Sequence, residues 1–184
     1  MNSVKLMMDE HQYILRMAKV MRRACYRLLQ DGSVDYADFN DMMDFIKNYA
    51  DAHHHGKEEK IMFQKMQDQL GRMAQNLITH GMLVEHDLGR FHMQELRAAL
   101  ERLKAGDDES KLDVIANAIT YTHLIERHIK KEDDLVYPYG EKNLSEDDMN
   151  QINQMTDDFE QQATTEGTQS KYVTLLENLE KKYL

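Results

Sequence analysis

The chain has 184 residues, with one proline, eight glycines and 33 acidic residues against 23 basic ones. Its formal net charge of −10 argues against non-specific binding to nucleic acid or to anionic membranes, because both need a basic surface. The single cysteine, Cys25, cannot form an internal disulfide, and the first residues lack the apolar core of a signal peptide. No apolar run is long enough to cross a bilayer. We therefore expect a cytoplasmic protein in a reducing compartment.

Turn-forming residues divide most of the chain into four long predicted helices. These helices run over about residues 3–30, 35–70, 71–105 and 111–140. The breaks between them carry Asp31-Gly32, Gly71 and the segment Gly106-Asp107-Asp108, and Ser110 is the predicted N-cap of the fourth helix. Pro138 and Gly140 mark its predicted end. Long helices with short connections predict an all-α, antiparallel up-and-down four-helix bundle.

Two shorter helices are predicted after the bundle. The sequence SEDD at residues 145–148 resembles a capping box, with Asp in place of the usual Glu or Gln, and would begin a fifth helix. The sequence TTEGT at residues 164–168 interrupts that helix, and the remaining residues form a sixth. We interpret residues 1–140 as the bundle domain and residues 141–184 as a C-terminal two-helix extension packed on it.

Polar residues interrupt the apolar face of each long helix. An α-helix turns by about 100° per residue, so residues three, four and seven apart share one face. On the second and fourth helices the apolar face continues into a histidine and then a glutamate four residues later, whereas the first and third helices carry one histidine each. The six residues in these positions are His11, His54, Glu58, His86, His128 and Glu132.

The other five histidines fall outside the apolar faces. By the same periodicity they are predicted to lie on helix flanks or on the surface; they are His53, His55, His80, His92 and His123. Arg90 is the one basic residue on these faces near the two glutamates. It either extends to the rim of the bundle, or pairs with Glu58, Glu132 or a bound anion.

The six residues form an internal repeat. His11 precedes His54 by 43 residues, and His86 precedes His128 by 42. The sequence KEEKIMF after the first His-x-x-x-Glu histidine is echoed by KEDDLVY after the second. Two such halves, related by a pseudo-twofold axis, would direct four imidazoles and two carboxylates to one place inside the bundle.

This combination predicts a metal site. An isolated buried histidine is more often a hydrogen-bonded core residue, and a lone His-x-x-x-Glu arises by chance. Two buried carboxylates without a partner cost several kcal/mol, however, so cations must come from outside. Four imidazoles and two carboxylates suit two divalent first-row ions, each with two histidines, and with Glu58 and Glu132 bridging.

These motifs resemble the hemerythrin-like, or HHE cation-binding, proteins. HHGKEEKIMF and HIKKEDDLVYP are similar to the two His-x-x-x-Glu helices of that family, and the sequences DEH and VEH, which end at His11 and His86, are similar to its two single-histidine helices. The resemblance covers about residues 5–140. It implies a four-helix bundle with a non-haem di-iron centre, bound by His11, His54, Glu58, His86, His128 and Glu132.

One position departs from the animal oxygen carriers of that family. These carriers have a fifth histidine, in a His-x-x-x-His pair on the third helix, but here the positions four before and four after His86 are Met82 and Arg90. A four-histidine centre leaves both ions open, which favours a more reactive site over reversible oxygen carriage. The expected cofactor is two iron ions with an oxo or hydroxo bridge, and iron with manganese or zinc is the alternative.

Three functions remain open from the sequence. The first is a di-iron protein that binds or reduces dioxygen, peroxide or nitric oxide, for sensing or for protection against oxidative or nitrosative damage. The second is a metal-responsive binding module that signals through its C-terminal helices, without turnover. The third is a structural bundle with a polar core. The expected partner is a small diatomic or peroxide ligand, and the sequence does not identify a protein partner or electron donor.

Overall fold

The computed structural model describes residues 2–184, which form six helices and no strand. Helix α1 is a continuous α-helix over Ser3–Asp31. Helix α2 covers residues 36–69 and changes its winding four times. Its α-helical ends are Tyr36–Phe45 and Phe63–Gln69, and the π-helical segments Ile46–His55 and Glu58–Met62 lie between them.

Helices α3 and α4 also contain π-helical segments. Helix α3 covers residues 71–104, with Ile78–Met82 in the π conformation. A 3₁₀ turn, Asp108–Ser110, leads into α4, which covers residues 111–143 with Glu132–Val136 in the π conformation. The chain ends with α5, Glu146–Glu166, and α6, Thr168–Tyr183. Among residues 2–184, no helix has both the length and the apolar character needed to span a membrane.

Most of the predicted helix boundaries are confirmed. The Ser145 side chain accepts a hydrogen bond from the Asp148 N–H, as predicted for the start of α5. Ser110 differs from the prediction, because its side chain makes no cap hydrogen bond to α4. Its buried hydroxyl instead donates to Asp107 and accepts from Arg102, which fixes the turn between α3 and α4.

The predicted end of α4 near Pro138 and Gly140 is too early. The helix continues through both residues to Asn143. Pro138 follows directly on the π-helical segment Glu132–Val136 and lies at the start of the last α-helical segment. At this junction the backbone hydrogen bonds change from i→i+5 to i→i+4, so the N–H that proline lacks falls where the ladder is interrupted.

The helices pack as an all-α bundle around two apolar cores. Helix α4 lies against α1 and α3, and the π-helical part of α2 lies against the same two helices. Core 1 contains residues from Ile14 to Leu28 of α1, from the first half of α2, from the second half of α3 and from the first half of α4. Core 2 contains residues from the opposite halves of the same four helices, including Met7, Met62 and Met66. The six predicted site residues lie between the two cores.

The two C-terminal helices divide between the cores. Helix α6 contacts α1 and α2, and its Tyr172, Leu176 and Leu179 are buried in core 1. Helix α5 contacts α1 and the second π-helical segment of α2, and its Ile152 is buried in core 2. The predicted boundary between residues 1–140 and 141–184 stays a prediction.

Candidate metal centre

The six residues predicted from the sequence converge between the two cores, and all six are buried. The Nε2 atoms of His11 and His128 lie 3.3 and 3.1 Å from the two carboxylate oxygens of Glu132. The Nε2 atoms of His54 and His86 lie 3.7 and 3.6 Å from Oε2 of Glu58. Each of the four long helices therefore supplies at least one side chain to one polar layer.

Side-chain nitrogen and oxygen atoms in this layer form two overlapping groups. Within each group the ligand-type atoms all lie within 4.8 Å of one another. The first group is His11, His54, Glu58 and Glu132, and the second is His55, Glu58, His86 and His128. Glu58 belongs to both groups. Each group can hold a metal ion, and the shared carboxylate places the two positions side by side.

The π-helical segments carry much of this layer. His54 and His55 end the first segment of α2, Glu58 begins its second segment, and Glu132 begins the segment of α4. A π-helix closes its hydrogen bonds from residue i to i+5, so it has more residues per turn than an α-helix and adjacent side chains diverge by less. This winding brings His55 to the same side of α2 as His54.

Each of the four predicted histidine ligands also contacts a carboxylate outside the layer through its Nδ1 atom. Because an ionised carboxylate can only accept a hydrogen bond, Nδ1–H donates and Nε2 faces the centre. The Nδ1 to oxygen distances are 2.8 Å for His11 with Asp133, 2.8 Å for His54 with Glu10, 2.6 Å for His86 with Glu59 and 2.9 Å for His128 with Glu85.

These outer carboxylates follow the same pseudo-twofold repeat as the inner residues. Glu10 and Glu85 each directly precede the single histidine of their helix, and each binds the histidine of the following His-x-x-x-Glu helix. Glu59 and Asp133 each directly follow the glutamate of their motif. The sequence analysis missed all four, although each is directly adjacent to a predicted ligand in the motifs.

The two inner carboxylates differ in protonation because they are buried close together. Burial raises the pKa of Glu58 to about 8, and the negative charge of Glu132 contributes in the same direction. Burial also opposes ionisation of Glu132, but the charge of His128 and the contacts with His11 and His86 hold the pKa of Glu132 well below its usual range. One carboxylate is therefore charged at neutral pH, whereas the other keeps its proton.

The imidazoles are also unequal. Burial opposes protonation, but neighbouring carboxylates raise the pKa of His11 and His86 to about 9 and that of His128 to about 10. Burial and the charge of His11 lower the pKa of His54 to about 4, although Glu10 acts in the opposite direction. Without a cation, protons on these imidazoles balance the acidic groups. The Nε2 atoms of His86 and His128 lie 3.0 Å apart, a hydrogen bond that needs one lone pair, so these two rings share one proton there. A cation must displace these protons to bind.

Five buried side-chain atoms in the layer have no partner in hydrogen-bonding geometry, although ring nitrogens of His11 and His128 lie 3.3 and 3.1 Å from the Glu132 oxygens. The five atoms are Nε2 of His54, Nε2 of His55, Oε2 of Glu58 and both carboxylate oxygens of Glu132. Buried polar atoms are nearly always hydrogen-bonded, and an unpaired one costs about 1–3 kcal/mol. Five such atoms at one place are ligand atoms of the types that divalent first-row metals bind, so the residues fit a metal centre.

Two of the histidines predicted to lie on flanks or on the surface are buried. His53 is 3 % exposed and His55 is 7 % exposed. The prediction was wrong for His55 because it assumed α-helical winding throughout α2, and it was wrong for His53 because α5 covers that flank of the helix, where Glu160 lies 3.2 Å from the His53 ring. His80 and His123 are exposed and His92 is half-buried, as predicted.

Basic residues near the layer contact the outer carboxylates. Arg90 pairs with Asp51, Glu59 and Asp87 and with neither Glu58 nor Glu132. Lys57, which the sequence analysis did not single out, is fully buried and binds both Glu10 and Glu160 of α5. Lys57 therefore links Glu10, the carboxylate that binds His54, to a C-terminal helix.

This lysine bridge breaks the twofold symmetry of the centre. In the other half of the repeat, Lys131 occupies the position of Lys57 and binds Glu85, as Lys57 binds Glu10. The Lys131 side chain is 49 % exposed, whereas that of Lys57 is 0 % exposed. Helix α5 covers only one of the two equivalent lysines.

A phenol and a small cavity border the layer. The Tyr137 hydroxyl donates a hydrogen bond to Oε1 of Glu58 and lies 3.5 Å from Nε2 of His11. On the other side, a cavity of about 120 Å³ reaches His55 and His86 and is also lined by Asp51, Gly89, Arg90 and Tyr121, among others. The cavity can admit a molecule of only a few atoms to the second group of ligand atoms.

Comparison with known proteins identifies a family. The family model described as hemerythrin HHE cation binding domain matches residues 2–140. An uncharacterized protein of Mycobacterium bovis and two of Mycobacterium tuberculosis are each 25% identical to the chain over 132 residues, which are 72% of this chain and 51% of the relative. The chain thus spans about half the length of the curated relatives it matches. No solved structure matches the chain.

Substitution of Glu58 by glutamine should separate folding from metal binding. Glutamine resembles the protonated glutamic acid that burial favours at this position. We therefore expect the free energy of unfolding of the cation-free variant to lie within about 1 kcal/mol of that of the wild type. A ligand at a hundred times its Kd stabilises a protein by about 2.7 kcal/mol, and this gain should disappear in the variant. Thermal unfolding with and without anaerobic ferrous iron measures both effects. Glu95→Gln, on the exposed face of α3, is the control; an equal gain in Glu58→Gln would contradict the prediction.

Metal affinity should increase with pH between about 7 and 9. The raised pKa values of Glu58, His11, His86 and His128 mean that protons occupy these groups at pH 7, and metal binding must release them. With one proton shared between His86 and His128, we expect on the order of three protons released per two ions at pH 7. Calorimetric titration in buffers of different ionisation enthalpy counts these protons. Release of fewer than one proton, with affinity independent of pH, would show that these groups are not displaced.

Proposed function

We propose that this chain, which belongs to the hemerythrin HHE cation-binding family, holds two iron ions between its apolar cores and binds or reduces a small ligand there. The ligand class is dioxygen, peroxide or nitric oxide, and the role is sensing or protection. The proposed ligands are His11, His54, Glu58 and Glu132 for the first ion and His86 and His128 with the same two glutamates for the second.

The observation that carries this proposal is the set of five buried, unpaired nitrogen and oxygen atoms in one layer. A purely structural polar core satisfies its own hydrogen bonds, because unpaired buried atoms lower stability. Here the Nδ1 atoms and the outer carboxylates are paired with one another, and the inner contacts from His86 to His128 and from Tyr137 to Glu58 still leave these five atoms unpaired. The arrangement favours a cation centre over the structural bundle.

The donor set also narrows the chemistry. Imidazole and carboxylate ligands suit iron, manganese and zinc, and six protein ligands shared by two ions leave positions for an exogenous ligand. Two ferrous ions, when bound, supply one electron each for reduction of a small molecule. The cavity of about 120 Å³ beside His55 and His86 limits that molecule to a few atoms.

The protein's own residues prepare the site for such chemistry. The outer carboxylates fix the orientation of all four imidazoles, and the apolar cores on both sides exclude bulk water. Tyr137 holds Glu58 through its hydroxyl, and burial keeps the pKa of that phenol well above its usual range, so it remains a hydrogen-bond donor at neutral pH. A donor at this position can also hydrogen-bond to a ligand near His11.

The proposal is tested by anaerobic loading with ferrous iron, followed by optical spectra before and after admission of air. We expect two irons per chain and new near-ultraviolet and visible charge-transfer bands in the wild type. His54→Ala and Glu132→Ala should lose stoichiometric iron and the bands, because each removes an inner ligand. Two irons in both variants would overturn the proposal. Bands that vanish on deoxygenation indicate reversible binding, and bands that persist indicate reduction of the ligand.

A variant that keeps the ligands but narrows the cavity provides the matched control. Gly89 lines the cavity, and a Cβ atom there would lie 3.6 Å from the Tyr121 ring, which is ordinary contact. Gly89→Ala should therefore keep both irons and slow the appearance of the bands in stopped-flow measurements. An unchanged rate would mean that the ligand enters by another route.

A second function is favoured by the buried contact between the centre and α5. His54 donates to Glu10, Glu10 binds Lys57, and Lys57 binds Glu160 of α5. Metal binding at His54 changes the charge balance at one end of this chain of contacts. The C-terminal helices can thereby respond to metal occupancy, as a metal-responsive binding module requires.

Hydrogen exchange distinguishes this second function. If these contacts transmit metal occupancy to the C-terminal helices, iron should increase the protection of residues 145–184 from hydrogen exchange. Glu160→Gln should reduce this increase without changing the iron stoichiometry. Gln154→Ala, on the exposed side of the same helix, is the control. Equal protection with and without iron would exclude signalling through these helices.

A further inference from the structure

We propose that His55 is a fifth histidine ligand, which binds the second ion together with His86 and His128. This inference rests on the proposed two-ion centre and adds a residue outside the two repeated motifs. His55 has no counterpart in the second half of the repeat, where Ile129 occupies the equivalent position.

The first observation is that His55 has the same outer contact as the four other ligand histidines. Its Nδ1 atom lies 3.3 Å from Oδ1 of Asp51, one helical turn earlier on α2. Asp51 is itself held by two hydrogen bonds from Arg90, at 2.9 and 2.7 Å. A carboxylate on Nδ1 is the usual partner of a metal-bound histidine, and it leaves the Nε2 lone pair free for the metal.

The second observation is the position of the free nitrogen. Nε2 of His55 is buried without a hydrogen-bond partner, and it lies within 4.8 Å of the ligand atoms of Glu58, His86 and His128. The other histidine with an unpaired Nε2 is the predicted ligand His54. By contrast, the equally buried His53 uses its Nε2 atom to contact Glu10 and Lys57, so it is a structural residue.

The ring of His55 also has room to adjust. It is stacked on the His86 ring with 3.8 Å between centroids and 7° between planes. Parallel rings direct their lone pairs side by side, so a shared ion requires one ring to tilt. The cavity of about 120 Å³ adjoins the His55 ring and leaves space for this tilt, whereas the hydrogen bond to Glu59 holds His86 in place.

A fifth histidine makes the two ions unequal. The first ion has two histidines and the second has three, while the carboxylates are shared between them. The second ion is therefore closer to a full set of ligands than the first. The apparent four-histidine pattern in the sequence, which implies two open ions, is then incomplete.

The test is anaerobic titration of ferrous iron in competition with a chromogenic chelator. We compare the wild type, His55→Ala and His123→Ala, which removes an exposed imidazole from α4. The wild type and His123→Ala should bind two ions. His55→Ala should bind one ion with unchanged affinity and the second at least about a hundredfold more weakly, with millimolar imidazole restoring the second.

Equal affinities for two ions in the wild type and His55→Ala would overturn the inference and leave the two-ion centre intact. A wild type that binds fewer than two ions would instead overturn the proposed function, and the inference with it. His55→Gln provides a second variant of similar volume, in which circular dichroism confirms folding before titration. Loss of the second ion in a folded variant without rescue by imidazole would assign His55 a packing role and overturn its role as a ligand.

Discussion

The structure depends on the burial of two carboxylates among imidazoles in the middle of a small bundle. Burial and mutual repulsion keep Glu58 protonated, while the surrounding imidazoles hold Glu132 in its charged form. Burying these groups lowers the free energy of unfolding, which for a protein is only about 5–15 kcal/mol in total. Their burial becomes favourable when divalent cations replace the protons, since each ion then neutralises several buried groups together. Metal binding at this site therefore adds directly to the free energy of unfolding, and a change in metal affinity changes folding stability as well.

The outer carboxylates explain how a soft bundle can hold such a site. Methionine fills much of core 2, and this side chain adapts its shape easily and specifies geometry poorly. The orientation of the imidazoles is fixed instead by directional hydrogen bonds at Nδ1, which come from carboxylates on neighbouring helices. Each ligand helix thus orients a ligand on another helix, and the four helices are joined through the centre itself.

The bundle and the convergence of the six residues could be predicted from the sequence because both follow from the helical spacing of the apolar residues. Where the winding is α-helical, a spacing of three or four residues identifies a shared face, as it does for His11 and His86. The same rule failed for His55, because a π-helical segment cannot be recognised from the hydrophobic pattern alone. It failed for His53, and it did not single out Lys57, because α5, which is distant in sequence, covers both residues. Two helix ends also differ from the prediction. The Ser110 hydroxyl binds Asp107 and Arg102 instead of capping α4, and the π-helical winding before Pro138 lets α4 continue past that residue.

The covering of one lysine by α5 gives the two halves of the centre different exposure to solvent ions. The bridge from Lys131 to Glu85 lies at the surface, where dissolved salt screens it, whereas the bridge from Lys57 to Glu10 is buried and is screened much less. A rise in ionic strength therefore loosens the support of His128 and leaves that of His54 nearly unchanged. A centre built from two equivalent halves thus has one hydrated side that follows the ionic composition of its surroundings and one dry side that does not.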